Sequence, residues 1–177
     1  MTQLRFDING RLDLQASESS ASSDFDFFYG VWHVRNLKLE KRLCGCQDWD
    51  EFMANDKCFS VLNGLGNINQ YQAQIAGRRF EGLTVRLFDP LTRLWSLHWV
   101  DSNRGVLDVP QIGSFEGNLG NFYALDTFEG HPIVVRFEWN KSAPEAPIWR
   151  QASSLDHGQT WEWNWYMHFS RPPLPRA

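Results

Sequence analysis

The sequence predicts an all-β protein: one antiparallel domain of evenly spaced strands, a sandwich or a barrel, behind a short N-terminal extension. Three observations predict it. Short runs rich in Val, Ile, Phe, Tyr and Trp recur from residue 24 to residue 171, each bounded by Gly, Pro, Asn or Asp. No helical period intervenes. The chain carries 9 Trp, 4 Tyr and 13 Phe among 177 residues, and flat rings pack well on a pleated surface. That length suits a single domain of roughly 100–200 residues.

The elements follow in order. Residues 4–8 and 11–14 alternate apolar and polar around Asn9-Gly10, a pair suited to a type I′ turn, so a short hairpin is expected. Residues 17–23, Ser-Glu-Ser-Ser-Ala-Ser-Ser, have little to bury and read as a flexible linker that completes a 1–23 extension. The compact domain spans 24–171. Residues 24–29 suffice for one helical turn with Asp24 as its cap. Strands are expected over 30–41, 52–62, 68–75, 80–88 and 94–101, with the Asp89-Pro90 turn before the last of these. Two short strands, 105–109 and 112–115, precede longer ones at 121–128, 132–139, 148–154 and 161–170. The Pro-rich tail, 172–177, cannot continue a ladder.

Charge and composition remove several function classes. Lys plus Arg is 17 against 21 Asp plus Glu, a net charge of −4, so no nucleic-acid partner is expected. No apolar run approaches the ~20 residues that cross a bilayer, so no membrane partner is expected. P-loop, G-x-G-x-x-G, H-E-x-x-H and G-x-S-x-G patterns are missing. Cys44, Cys46 and Cys58 are odd in number, which precludes a complete disulfide framework. Residues 1–23 do not read as a secretory leader, so the expected compartment is cytoplasmic. Cys44-Gly45-Cys46, with His33 upstream, has no second pair at zinc-finger spacing, and no metal site is expected.

Gly30-Val31-Trp32 heads the first long strand, and Arg171 closes the last. This resembles the calycin superfamily, the lipocalins and their relatives, in which such a Trp packs near a basic residue from the final strand. The physics fits: Gly frees the bend into the strand, Trp plugs the barrel end, and a guanidinium stacks on the indole. A closer resemblance covers residues 24–171. Asp24-Phe25-Asp26-Phe27, Gly30-Val31-Trp32-His33-Val34, Phe88-Asp89-Pro90 followed by Trp95 and Trp99, and Arg136-Phe137-Glu138-Trp139 are similar to uncharacterised bacterial calycin-like domains. The resemblance implies a calycin-like (lipocalin-type) β-barrel of about 8–10 strands and no particular chemistry. Ser154-Leu155-Asp156-His157-Gly158-Gln159-Thr160-Trp161 resembles the Asp-box of sialidase propellers. A single copy implies a structural hairpin and no sialidase, because a propeller needs repeated blades of ~40–45 residues.

In the last strand Trp161, Trp163, Trp165, Met167 and Phe169 alternate with Glu162, Asn164, Tyr166 and His168, two faces of one ribbon. A solvated outer face accounts for most polar strand residues. If instead a cavity takes them, the ligand-binding candidates are Trp32, Arg86, His98, Trp99, Arg136, Gln151, Glu162 and Asn164. Arg86 and Arg136 suit a carboxylate, and Trp32 and Trp99 a planar or apolar body. The expected function is a barrel that binds a small, partly hydrophobic ligand in its cavity, an acid being one option. One alternative is a small barrel enzyme, a lyase, isomerase or hydrolase, with Glu162 and His98 or His168 as its catalytic acid–base pair. Another is haem binding through His33, His98 or His168, as nitrobindins hold haem through a His; otherwise no cofactor is expected. Nine Trp are many for one small barrel, which favours a homodimer. A one-residue slip of parity would exchange the whole candidate list for its neighbours.

Overall fold

The computed structural model describes residues 4–173, so 174–177 of the expected tail lie outside the described residues. Ten strands close into a barrel: β1 (Gly30–Leu39), β2 (Trp49–Val61), β3 (Gly66–Ile75), β4 (Arg78–Phe88), β5 (Trp95–Asp101), β6 (Gln111–Glu116), β7 (Leu119–Phe128), β8 (His131–Asn140), β9 (Ile148–Ser154) and β10 (Glu162–Ser170). Each pairs antiparallel with its neighbours in sequence, and β1 pairs with both β2 and β10 to close the wall. The seams are unequal. Ten register pairs join β1 to β2, whereas only Trp95↔Gly113, Ser96↔Ile112 and Leu97↔Gln111 join β5 to β6.

Nine of the ten strands lie where hydrophobic alternation places long ladders, and β6 matches the expected 112–115. The expected strand at 105–109 is instead part of a loop. Asp101 O accepts from Arg104 N and Gly105 N, its side chain accepts from Asn103 N, and Arg104 pairs with Asp108. Turn chemistry in Asp101-Ser102-Asn103-Arg104-Gly105 thus outweighs the apolar Val106 and Leu107.

One end of the barrel is sealed by aromatics. The 3₁₀ turn Asp26–Phe28 folds under the strands and sends Phe25 and Phe28, both fully buried, into the end of the core. Phe25 meets Trp95, Phe115 and Trp139 edge-on at 5.0–5.9 Å. Trp32 stacks on Phe28 and donates its indole N–H to Phe28 O at 2.7 Å. From outside, the Arg171 guanidinium lies 3.5 Å from the Trp32 ring centre and donates to Tyr29 O and Phe27 O. Gly30, at φ +105°, admits this approach; a Cβ there would sit 3.0 Å from Arg171 Nη1. Asp24 does not cap the turn. Its carboxylate is taken by Ala21 N and pairs with Lys141.

The extension lies on the barrel. The N-terminal hairpin is reduced to one bridge, Phe6↔Leu12, and only Gly10 of its turn has positive φ, so the turn is not type I′. Phe6 packs edge-on against His157. The Ser-rich stretch is held rather than free: Ser17 N donates to Ser114 Oγ, Ser20 Oγ donates to Arg93 O, and Arg93 returns donors to Ser20 O. Polar side chains anchor it where burial cannot.

Replacing Arg171 with Met should cost about 2 kcal/mol, from two charged hydrogen bonds and the stack on Trp32. Urea denaturation measures it. A loss under about 0.5 kcal/mol would show that the plug does not need its guanidinium.

Candidate functional site

Above the plug the barrel encloses a cavity of about 450 Å³. Strand parity decides what enters it. Trp32, Val34 and Asn36 of β1, Ala54, Asp56 and Cys58 of β2, and Asn67, Asn69 and Tyr71 of β3 turn inward. So do Thr84 and Arg86 of β4 and Leu97 and Trp99 of β5. The floor is Phe28, Trp139 and Phe169; Trp149, Trp165 and Phe137 form the far wall. Trp99 can lie flat because β4 has a glycine beneath it: a methyl on Gly82 would overlap the indole. Around the mouth stand Lys38, Arg42, Asp101, Arg104, Asp108 and Asp126. Burial and then the nearby Arg42 lower the Lys38 pKa; burial, then repulsion by Asp101 and Asp126, raises that of Asp108.

Arg86 is the charge at the bottom. It is 4% exposed. Its guanidinium centre lies 5.0, 5.1 and 5.6 Å from the rings of Phe25, Phe28 and Trp139. Nη1 donates to Asn67 Oδ1 at 2.9 Å and Asn69 Oδ1 at 2.6 Å, while Nε has no hydrogen-bond partner among the described residues. No carboxylate among the described residues forms an ion pair with it. Desolvation lowers its pKa, yet an arginine stays charged. Burying such a charge costs on the order of several kcal/mol, which the amide acceptors and ring faces only partly offset.

Asp56 is the second buried ionisable group. It is 3% exposed, and Oδ2 accepts from Asn69 Nδ2 at 2.6 Å. Burial pushes its carboxyl up to about 7, against the pull of Arg86 and the Asn69 hydrogen bond. Cys58, next inward on β2, is pushed up to about 12 by burial and is an inert thiol. Tyr71 donates its hydroxyl to Asn36 Oδ1, which also accepts from Trp165 Nε1.

Of the residues singled out from the sequence, Arg86, Trp99 and Gln151 line the cavity. Asn164 supports it from behind, accepting from Gln151 Nε2 and donating to Ser153 Oγ. Trp32 belongs to the plug. Arg136 lies on the outer face, where Glu138 pairs with Arg136 and Arg150. His98, between inward Leu97 and Trp99, faces out and meets Ser96 Oγ. His33 and His168 also alternate with inward residues, and no histidine among the described residues lines the cavity. The three proposed haem ligands therefore do not converge on it. Glu162 accepts from Leu43 N, and β5 and β10 stand on opposite sides of the barrel, so Glu162 and His98 do not form a pair. His168 and Glu162 do not meet at the cavity either.

The two-faced reading of the last strand fails at one point. A bulge between Trp163 and Trp165 gives Ala152 and Gln151 partners two residues apart, leaving Asn164 as the extra residue. Trp165, Met167 and Phe169 stay inward. Trp163 turns outward instead, with Arg150 at 3.8 Å and Arg136 at 5.4 Å over its ring, and Trp161 lies beneath Arg136 at 5.7 Å. Of the nine Trp only Trp49 is exposed, at 40%, so a single barrel houses them and crowding gives no reason for a second subunit. The β9–β10 hairpin is tied locally. Asp156 accepts from Thr160 N, Thr160 Oγ1 and Ser154 Oγ, which holds its carboxyl at about 2, and Gly158 N donates to Ser154 Oγ.

Asp56, Asn69 and Tyr71 were missed. Their signal was phase: Asp56 alternates in step with Ala54 and Cys58, and Asn69 with Tyr71 and Ala73.

No protein-family model matches the chain, and no curated protein matches it. Among solved structures it is similar to an S-type phycobiliprotein lyase from Guillardia theta. The TM-score is 0.56 and the identity 10%, over 88% of this chain and 94% of that one. The chain is a calycin-like barrel. At that identity the likeness concerns the fold alone. No helix among the described residues is long and apolar enough to cross a membrane.

Two outcomes follow from this geometry. Gly82→Ala should push the Trp99 indole off its seat, costing about 1–3 kcal/mol in urea denaturation and shifting the tryptophan emission; unchanged stability and emission would contradict the packing. The Asp56 carboxyl holds its proton more tightly folded, at about 7, than at its ordinary 3.8. Its stabilising contribution is complete below about pH 4 and drains away as pH rises to about 7. Across that window, melting temperatures should move in favour of Asp56→Asn over the wild type. Parallel curves would show that Asp56 is not perturbed.

Proposed function

We propose that the protein binds a small organic acid with a flat, largely apolar body inside the barrel, with Arg86 anchoring the anion. One observation carries this reading: a buried guanidinium without an ion-pair partner among the described residues, at the foot of an aromatic-walled cavity of about 450 Å³. A volume in that range suits a small ligand, and cavities for such ligands are mostly apolar with a few convergent polar groups. A carboxylate is the natural partner for a guanidinium whose Nη2 makes no hydrogen bond among the described residues. Trp99, Trp149 and Trp165 offer ring faces and edges to the body of the guest. The solved lyase of similar fold is compatible with a barrel that handles a small molecule.

Titration of tryptophan fluorescence with a panel of aromatic and polyunsaturated acids tests the reading. At least one acid should bind in the micromolar range, and Arg86→Met should weaken it about 10–100-fold, the worth of one charged contact. The matching methyl ester should lose far less on that substitution. If no acid binds, or Arg86→Met leaves acid affinity unchanged, the reading is wrong.

A further inference from the structure

Asp56 and Arg86 face one cavity as a carboxyl and a guanidinium that do not form an ion pair. Asn69 keeps them one amide apart: its Oδ1 accepts from Arg86 Nη1 at 2.6 Å, and its Nδ2 donates to Asp56 Oδ2 at 2.6 Å. Each retains an unused atom. Asp56 Oδ1 and Arg86 Nε are buried without a hydrogen-bond partner among the described residues. A direct salt bridge would satisfy both, and the spacing leaves both atoms unsatisfied until a third group reaches them.

The surroundings of Asp56 decide what that group is. From β4 it faces Arg86, the one charge that favours its ionised form; from β3, Tyr71, whose hydroxyl is committed to Asn36; from its own strand, Cys58. β1 presents Trp32, Val34 and Asn36 at this depth, and its Lys38 belongs to the mouth. The 3₁₀ turn contributes Phe28. Burial therefore outweighs Arg86, and the carboxyl sits at about 7. A protonated carboxyl is a donor, and a neighbouring anion makes that form more favourable still.

We propose that Asp56 and Arg86 bind the same organic anion, Asp56 as a protonated carboxyl donor, so that the cavity takes up its guest as an anion together with one proton. This rests on Arg86 as the anion anchor and adds the group that makes the anchor pH-dependent. The balance is simple: ionised Asp56, one solvent proton and the free anion give a neutral carboxyl hydrogen-bonded to the bound anion, with no other bond made or broken. Below neutrality Asp56 already holds the proton, and affinity is level. Above it the proton must be drawn from solvent, and affinity falls about tenfold per pH unit. An uncharged guest lacks this dependence.

The probe is 8-anilinonaphthalene-1-sulfonate, an aromatic anion whose sulfonate does not titrate between about pH 6 and pH 9; uncharged N-phenyl-1-naphthylamine is the control. Wild-type affinity for the sulfonate should be level up to about pH 7 and then drop about tenfold per unit. Asp56→Asn, which keeps the shape and an N–H donor, should flatten the profile to less than about twofold per unit. The uncharged probe should show a level profile in both, and its retained binding certifies that Arg86→Met and Arg86→Gln are folded. Calorimetry in two buffers of different ionisation enthalpy should register uptake of about one proton above neutrality, absent in Asp56→Asn. The Asp56 carboxyl carbon resonance in the free protein should titrate near 7. A level wild-type profile with Arg86-dependent binding overturns the role of Asp56 and leaves the anchor standing. Affinity that rises with pH, or a carboxyl that titrates below about 5, overturns it as well. Sulfonate binding that ignores Arg86 overturns the anchor and this proposal together.

Discussion

The aromatic seal beneath the barrel is the constraint on which the rest depends. Trp32, Phe25, Phe28 and Trp139 fill one end completely, and Arg171 clamps the seal by stacking on Trp32 and holding the carbonyls of the 3₁₀ turn. A closed ten-stranded wall is too wide to fill everywhere with side chains, and concentrating bulk at one end leaves space at the other. The same rings do a second job. Their faces support the Arg86 guanidinium at 5.0–5.6 Å, in a place where no carboxylate among the described residues forms an ion pair with it. The seal thus fixes both where the cavity begins and the sign of charge at its base.

Above that base the polar lining is a chain of committed amides. Asn67 and Asn69 accept from Arg86, Asn69 donates to Asp56, and Asn36 accepts from Tyr71 and Trp165. Such a network holds the charged side chains in place, the preorganisation that the guest proposed above would use.

The strands were legible because each alternates and each is bounded by a turn; the stack of Arg171 on Trp32 was expected only through the resemblance to calycins that Gly30-Val31-Trp32 and Arg171 carry. The loop after Asp101 was not, because its Val106 and Leu107 look like strand residues while Asp101 and Gly105 close turns beneath them. The site was harder. Alternation tells which residues share a face, not which face is inside, and here both faces carry aromatics: the outer one shelters Trp161 and Trp163 under Arg136 and Arg150. The bulge at Asn164 then shifts the phase within a single strand. Arg86, Trp99 and Gln151 survive that ambiguity because they lie in phase with Val85-flanking inward neighbours such as Thr84, with Leu97 and with Trp149. His98, Arg136, Glu162 and His168 do not. Asp56 could have been found by asking which acid shares a phase with small apolar residues.

The unequal seams make one side of the wall the weaker. Three register pairs hold β5 to β6, and beyond Leu97 the gap is spanned by the 102–110 loop with Val106, Leu107 and Val109 exposed. Parting two staves there breaks fewer backbone bonds than at the ten-pair seam of β1 and β2, and it widens the doorway while the sealed floor stays intact. For the guest proposed above, exit would then depend on how easily that short seam parts, a property of the wall rather than of the contacts at its base.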